Sequence, residues 1–346
     1  MSPHGVTMKA LAIESVGRTK FCDVERRDAG PGEVEVRVAR VGLCGSDLNT
    51  FRGLNPLVSL PRIPGHEIGG EIAVVGDGVD RCRVGDRVLV LPYTACGDCS
   101  SCRSGRPNAC RHNQTLGVQR DGGLSTSIVV PAAKVMVCNH LSFDRLALVE
   151  PLTIGMHAAR RAAVSVGEHV VVLGCGIIGL GAAAAAAAMG GRVVAVDVDD
   201  RKRDIALACG AERFVNSRED DLAKFAAELD DGRGPAVVIE AVGSDQTFAD
   251  AVRLVAFAGR VVYIGYAKKP VSYETALFVM KELDIRGSRN ATATDFAAVL
   301  SLVERGRYPM EKFVSVHYPF ASAGQAFEDW AADPGSVTKI LIDMVQ

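Results

Sequence analysis

The sequence predicts an α/β protein of two domains, a mostly β domain and a doubly wound parallel sheet, and three observations predict it. At 346 residues the chain exceeds the size of an ordinary single domain. Up to about residue 150 it is rich in valine, glycine and short alternating runs, such as 34–38 and 87–91, which read as strands bounded by turns. From residue 170 short apolar runs alternate with helical segments, the pattern of βαβ units around a parallel sheet.

Taken in order, the candidate strands of the second domain are 170–173, 192–196, 212–215, 236–240, 260–264 and 283–286. Six is the number that a dinucleotide-binding doubly wound sheet needs, and this sheet starts only in the middle of the chain. The first half must therefore hold something else. The run 182–188 is almost pure alanine, a strong helix former. Beyond about residue 291 come helical pieces and a strand-like end at 339–342, whose place composition leaves open.

The bulk properties exclude several classes of function. With 39 basic against 41 acidic residues and a net charge of -2, no field would recruit nucleic acid or an anionic membrane, and a small molecule is the expected partner. Residues 1–9 lack the basic-then-apolar run of a secretory signal, and Met8 is an alternative start. The uncharged stretch 170–191 is long enough to span a bilayer, but Gly174, Gly176, Gly179 and Gly181 divide it into an apolar run, a turn and a weakly hydrophobic alanine segment. Ten cysteines without a signal suggest a reducing compartment, so the cytoplasm is expected and clustered thiols read as metal ligands before disulfides.

The strand at 170–173 runs into Gly174-Cys175-Gly176-Ile177-Ile178-Gly179, and the alanine-rich helix follows. In such a turn the first glycine allows a tight bend, the second lets the backbone approach a pyrophosphate, and the third lets helix and strand pack closely. Free amides at the helix start would face the phosphates. Alone the motif is weak, but Asp197 closes the next strand 18 residues after Gly179, where an acid would accept both ribose hydroxyls of NAD. Arg201 and Lys202 nearby leave NADP as the alternative.

Cys96, Cys99, Cys102 and Cys110 form C-x2-C-x2-C-x7-C. Four thiolates so close suit tetrahedral zinc with no vacancy for substrate, which makes a structural site whose binding energy folds a loop poor in apolar residues. An iron–sulfur cluster or a redox pair is the competing reading. Elsewhere stand Cys44, the pair His66-Glu67, and Glu150 before Pro151. Taken singly each has a plain explanation: a buried thiol, a core histidine, a cap on a helix beginning near Pro151.

Together these residues resemble the zinc-containing medium-chain dehydrogenase/reductase family over nearly the whole chain. The run Gly65-His66-Glu67-x-x-Gly70, then Gly76-x-x-Val79, fits that family's zinc pattern, and the four-cysteine segment, the mid-chain glycine motif and Asp197 follow in its order. Glu150 in Val149-Glu150-Pro151-Leu152 looks like the sorbitol and polyol dehydrogenase branch, and the segments 51–56 and 61–64 are similar to bacterial L-galactonate-type oxidoreductases. The resemblance implies a GroES-like catalytic domain of residues 1–152 and 290–346, with a structural zinc lobe near 94–112, and a Rossmann NAD-binding domain of residues 153–289. It also implies an active site in the cleft between the domains, two zinc ions per chain, and a homotetramer or homodimer.

The activity so implied is oxidation of a secondary alcohol of a polyol or sugar acid to a ketone, with hydride passing to NAD. An alcohol or threonine dehydrogenase of the same family, or a non-catalytic binding protein on the same fold, is the alternative. Cys44 and His66 are the expected fixed ligands of the catalytic zinc, with Glu67 or Glu150 completing the set, and Asp47 would orient His66. Ser46 would take the alcohol proton first; many relatives end that relay with a histidine where this chain has Asn49, whose amide cannot do so. Val242, Gly265, Tyr266, Ser288, Arg289 and Asn290 are expected around the nicotinamide half. Arg52 and Arg120 are candidates to meet a substrate carboxylate.

Overall fold

The protein is described by a computed structural model over residues 7–345; residues 1–6, on which the reading of the amino terminus partly rests, lie outside the described residues. The chain divides into two compact units, one of Met1–Glu150 with Val314–Gln346 and one of Pro151–Phe313.

In the first unit the alternating segments form a seven-stranded sheet. Its spatial order is Val316–Pro319, Ile340–Asp343, Glu33–Leu43, Glu67–Val75, Arg87–Val90 and Val135–Val137, and Ser127–Pro131 also pairs with Glu33–Leu43. A separate antiparallel pair joins Thr7–Ser15 to Arg18–Glu25. Ile13, Val36, Ile68, Ile72 and Ile342 are buried in the core, and Phe327 of the helix Ala323–Ala332 packs on Phe51. Full burial of each such side chain stabilises by about 1.5–3 kcal/mol. The carboxyl-terminal strand therefore belongs to this unit: Ile340 pairs antiparallel with Leu43, and Asp343 with Arg40.

The second unit holds six parallel strands in the order Arg213–Asn216, Arg192–Asp197, His169–Leu173, Val237–Glu240, Arg260–Tyr263 and Asp284–Gly287. The chain starts in the middle of that sheet, winds to one edge, then returns and winds to the other, as a doubly wound fold requires. Each predicted strand is present, with ends differing by a residue or so. The stretch 170–191 is a strand, a turn and the helix Ile177–Ala188, and no helix among the described residues is long and apolar enough to cross a membrane. Small side chains let that helix lie close to its neighbours: a Cβ on Gly155 would stand 2.2 Å from the amide nitrogen of Ala182.

Two sequence expectations need correction. The return to the first unit comes at Val314 and not at about residue 290. The helix Ala293–Glu304 stays with the second unit because its buried Asp295 bonds to His157 at 2.9 Å and Arg160 at 3.0 Å, and Phe296 is fully buried. No helix begins near Pro151. The helix Phe143–Ala162 runs through that proline, so Glu150 is an interior helical residue and not a cap. Pro151 gives up one backbone donor in the middle of the helix.

Candidate active site and metal centres

Three strands bring the first group of residues together by their register. The strand Glu33–Leu43 ends just before Cys44, which opens the helix Gly45–Phe51. Its antiparallel neighbour begins at Glu67, opposite Gly42, so His66 and Glu67 lie at the same end of the sheet as Cys44. On the other side Ile340 pairs with Leu43, which brings Lys339 to that end as well. The approach is so close that a Cβ on Gly42 would stand 2.0 Å from a Glu67 carboxylate oxygen. Only glycine fits there.

The ligand atoms of Cys44, His66 and Glu67 all lie within 4.8 Å of one another, with His66 and Glu67 buried. Asp47 ties the two segments that carry them, because its carboxylate accepts from the Cys44 amide at 2.9 Å and the Gly65 amide at 3.4 Å. Its oxygen stands 3.9 Å from His66 Nδ1, beyond hydrogen-bonding distance, and that nitrogen has no partner among the described residues. Asp47 thus positions the chain around His66 and does not hold the ring directly. Burial disfavours the charged imidazole, yet Asp47, Cys44 and Glu150 together hold its pKa well above the ordinary value. Anionic ligands around a buried histidine with an orphaned nitrogen are a donor set that fits a divalent metal.

Glu150 enters the same surroundings from its helix and accepts a hydrogen bond from the Tyr93 hydroxyl. Burial pushes its carboxyl up to about 7, against the pull of His66. It is not among the three residues whose ligand atoms cluster. The Ser46 hydroxyl is buried without a partner among the described residues.

Two residues of this site went unseen in the sequence. Lys339 donates to both Glu67 oxygens, at 2.5 and 2.7 Å, and to the Leu43 carbonyl at 2.9 Å. It stands at the head of a strand-like run, and only a charge opening an otherwise buried strand hinted at a partner. Tyr93 follows the strand Arg87–Val90 with no motif around it. Of the two arginines expected to meet substrate, Arg52 donates to the Ala331 carbonyl and is engaged by the helix Ala323–Ala332. Arg120 donates to the Thr94 hydroxyl at 3.0 Å.

The four cysteines form a second centre. Cys99 lies 3.5 Å from Cys102 and 3.8 Å from Cys110, and Cys110 lies 3.5 Å from Cys96, sulfur to sulfur. Four sulfurs around a tetrahedral zinc would stand about 3.8 Å apart, given a zinc–sulfur bond of about 2.3 Å. None forms a disulfide, and amides of Cys96, Cys99, Arg111 and His112 point at the sulfurs. Hydrogen bonds from Ser101 and from the amides of Arg111 and Cys102 lower the Cys99 thiol to about 5, while burial and its neighbouring sulfurs raise Cys102. Four thiolates cannot share this space without a cation, and a dication fits them.

In the second unit the glycine motif has the geometry of a phosphate turn. Gly174 has φ +97 and a Cβ there would stand 2.7 Å from Val242; a Cβ on Gly179 would stand 1.8 Å from the Gly174 carbonyl oxygen. Nothing lies within 4 Å of the Cβ position of Gly176, which leaves open space in front of the helix that Ile177 and Ile178 begin. The Asp197 carboxylate accepts from the amides of Cys175 at 2.6 Å, Val198 at 2.8 Å and Asp199 at 3.1 Å, which fixes it beside the turn. Arg201 pairs with Asp199 at 2.8 Å. Val242, Gly265 and Tyr266 lie on the loops after two neighbouring strands, organised by the buried Glu240, which accepts from the Val242 and Gly243 amides and from Thr247. Sequence reading missed Glu240, although an acid ending an apolar strand was the available signal. Ser288, Arg289 and Asn290 follow the last strand of the sheet, and Asn290 has φ 51.

Comparison with known proteins agrees with this arrangement. The family model for the alcohol dehydrogenase GroES-like domain matches residues 30–140, and that for zinc-binding dehydrogenase matches residues 178–305. The chain is 37% identical over 323 residues to the L-galactonate-5-dehydrogenase of Escherichia coli K12, covering 93% of this chain and 95% of that protein. It is 32% identical over 345 residues to a sorbitol dehydrogenase of Halalkalibacterium halodurans, covering 97% and 99%. The crystal structure of the alcohol dehydrogenase rspB from E. coli CFT073, complexed with NADH, superposes with a TM-score of 0.90 at 31% identity, covering 98% of this chain and all of that one. With relatives of this identity along nearly its whole length and a family model in each unit, the chain belongs to the zinc-binding, medium-chain dehydrogenase family, built on a GroES-like and a Rossmann fold.

Proposed function

We propose that this enzyme oxidises a secondary alcohol of a polyol or sugar acid to the ketone, with NAD as the hydride acceptor. The observation that carries the reading is the buried convergence of Cys44, His66 and Glu67 at the ends of adjoining strands, with Glu150 beside them. Two of the similar proteins are named for L-galactonate and sorbitol, which supports the substrate class.

In this reading Cys44, His66 and Glu67 hold the catalytic zinc, and Cys96, Cys99, Cys102 and Cys110 hold a structural one. The catalytic metal, when bound, supplies Lewis acidity that lowers the pKa of the substrate hydroxyl. The chain's own residues do the rest. Lys339 neutralises part of the negative charge on Glu67 and fixes both of its oxygens. Ser46, whose hydroxyl has no partner among the described residues, relays the alcohol proton, accepting it at Oγ as its own proton passes on to solvent water. Glu150, whose carboxyl burial raises to about 7, holds a proton beside His66. Asn49 carries none.

For the cofactor, Gly174, Gly176 and Gly179 shape the turn, and the amides of Ile177 and Ile178 face the pyrophosphate. Asp197 accepts from the ribose hydroxyls and repels a 2'-phosphate, which favours NAD over NADP, while Arg201 is already engaged by Asp199. Val242, Gly265, Tyr266, Ser288, Arg289 and Asn290 surround the nicotinamide half. On the same reading the enzyme is a cytoplasmic homodimer or homotetramer acting on a small molecule. The test is NADH appearance, followed by its near-ultraviolet absorbance, across polyols, aldonic acids and simple alcohols with and without chelator. Chelator-sensitive turnover on a polyol or aldonate is expected; silence across the panel with both metals bound would refute the substrate class.

A further inference from the structure

Most arginines of this protein meet a carboxylate, among them Arg26, Arg40, Arg160 and Arg260. Arg120 does not. It is half-buried, one nitrogen donates to the Thr94 hydroxyl at 3.0 Å, and its Nε is buried with no partner among the described residues. Beside it stands a second cation, Lys134, whose ammonium donates, among the described residues, only to a neutral oxygen, the Tyr93 carbonyl at 2.6 Å. Burial lowers the pKa of both groups, and the charge of Arg120 lowers that of Lys134 further. Two partly desolvated like charges with only neutral acceptors are a costly arrangement, and an anion placed between or before them would relieve it.

The pair is joined to the catalytic group through two rigid connections. Thr94 and Tyr93, which take the bonds from Arg120 and Lys134, are consecutive residues of one short strand, and the Tyr93 hydroxyl donates to Glu150. The loop that carries Arg120 is also locked to the segment of His66. The Gly122 amide donates to the Ile63 carbonyl at 2.8 Å and the Gly123 amide to the Gly65 carbonyl at 2.8 Å. The fit leaves no room for a side chain, since a Cβ on Gly117 would stand 2.7 Å from the Gly65 nitrogen and one on Gly122 would stand 2.3 Å from the Gly65 oxygen. Arg120 is therefore held at a fixed place relative to His66 by a loop of glycines packed on its backbone.

We propose that Arg120, backed by Lys134, is the anion anchor of this active site, and that the substrate is a sugar acid whose carboxylate pairs with Arg120 while a secondary hydroxyl meets Cys44, His66 and Glu67. The inference rests on the reading of that group as the alcohol-oxidising centre and chooses between its two substrate classes. A planar guanidinium takes a carboxylate by paired hydrogen bonds, which a neutral alditol cannot supply. Among the described residues Arg52 lacks the second cation that stands beside Arg120, and one of its nitrogens donates to the Ala331 carbonyl.

The test compares galactonate with galactitol, an acid and its neutral counterpart, on the zinc-loaded full-length enzyme and on Arg120→Gln, Arg120→Lys and Lys134→Gln. The wild type should prefer the acid. Arg120→Gln should lower the ratio of kcat/KM for galactonate over galactitol by about 10- to 150-fold, the worth of a hydrogen bond to a charged group, with the loss in KM. Arg120→Lys should recover part of it, and Lys134→Gln should lower it less. Calorimetric titration of galactonate into the same proteins reads the anchor without turnover, and wild-type binding that weakens in Arg120→Gln is expected. Equal losses for acid and alditol, a wild-type preference for the alditol, or galactonate affinity that is absent or indifferent to residue 120 would overturn the anchor. If neither compound reduces NAD but galactonate binding depends on Arg120, the anchor stands and the reading of the oxidation centre falls.

Discussion

Between Cys96 and Cys110 four sulfurs meet within one short loop, and little but that loop is needed to gather them. Cys44, His66, Glu67 and Lys339 are drawn instead from the whole length of the first unit and meet because three strands pair in one register, with Glu150 added from a helix. The two centres thus respond to different things. The cysteine loop depends on its metal for its own folding, because few apolar residues stand in it. The other group depends on the sheet, which has a deep apolar core of its own. Removing a ligand should therefore unfold part of the chain in one case and abolish chemistry in the other.

The largest effect tests that contrast directly. Cys44→Ser should cut the rate of NAD reduction by about three orders of magnitude or more, since Lewis-acid assistance is worth several kcal/mol at the transition state. The folded sheet should be unchanged by circular dichroism. Cys102→Ser should do the opposite. One zinc is lost, the loop becomes sensitive to protease, and the thermal midpoint drops, while dinucleotide binding by the second unit persists. A Cys102→Ser protein with unaltered protease resistance would remove the distinction between the centres.

A buried charge pair sharpens the comparison further. In the metal-free protein Lys339→Met strands the Glu67 carboxylate in a buried position, which should destabilise the chain by about 3–5 kcal/mol, read from urea unfolding. If stability holds within about 1 kcal/mol, the pair is not the brace that register brings to the site. In the second unit, Asp197→Ala should raise the KM for NAD by about 10- to 150-fold with a smaller effect on kcat, because the ribose is bound alike in ground and transition states. An unchanged KM would mean that Asp197 serves only the amides around it.

The smallest effect concerns pH. Burial raises the Asp295 carboxyl, but His157 and Thr292 outweigh it and hold its pKa below the ordinary value. A depressed folded-state pKa means that the ionised form adds stability above the unfolded value of about 3.9, and that this stability is lost as pH falls through the lower folded value. Acid unfolding of the wild type should therefore steepen below about pH 4, and Asp295→Asn should flatten that limb while lowering stability at neutral pH. An identical acid limb in both proteins would contradict the linkage.

What the sequence discloses follows the same division. The cysteine spacing and the glycine turn are local patterns, and both were legible because every residue that matters stands within a few turns of chain. The six strands of the second unit were legible for the same reason, each being a short apolar run bounded by turn residues. Partnerships across hundreds of residues were not. Lys339 finds Glu67 through pairing of the last strand with the third, and no composition or spacing near either residue encodes that pairing. The boundary at Val314 was missed because the helices before it look like any amphipathic helix until the buried contacts of Asp295 are seen. For Glu150 the plain alternative, a helix cap, fails because the helix already surrounds Pro151, although proline usually opens a helix.

The most direct test of the account is the metal content of the wild-type chain and of Cys44→Ser, measured by plasma mass spectrometry beside NAD reduction on an aldonate. The account predicts two zinc ions per wild-type chain, one in Cys44→Ser, and loss of turnover with that single ion. Two ions retained in Cys44→Ser, or one ion in a fully active wild type, would contradict the separation of a catalytic centre at Cys44, His66 and Glu67 from a structural centre in the cysteine loop.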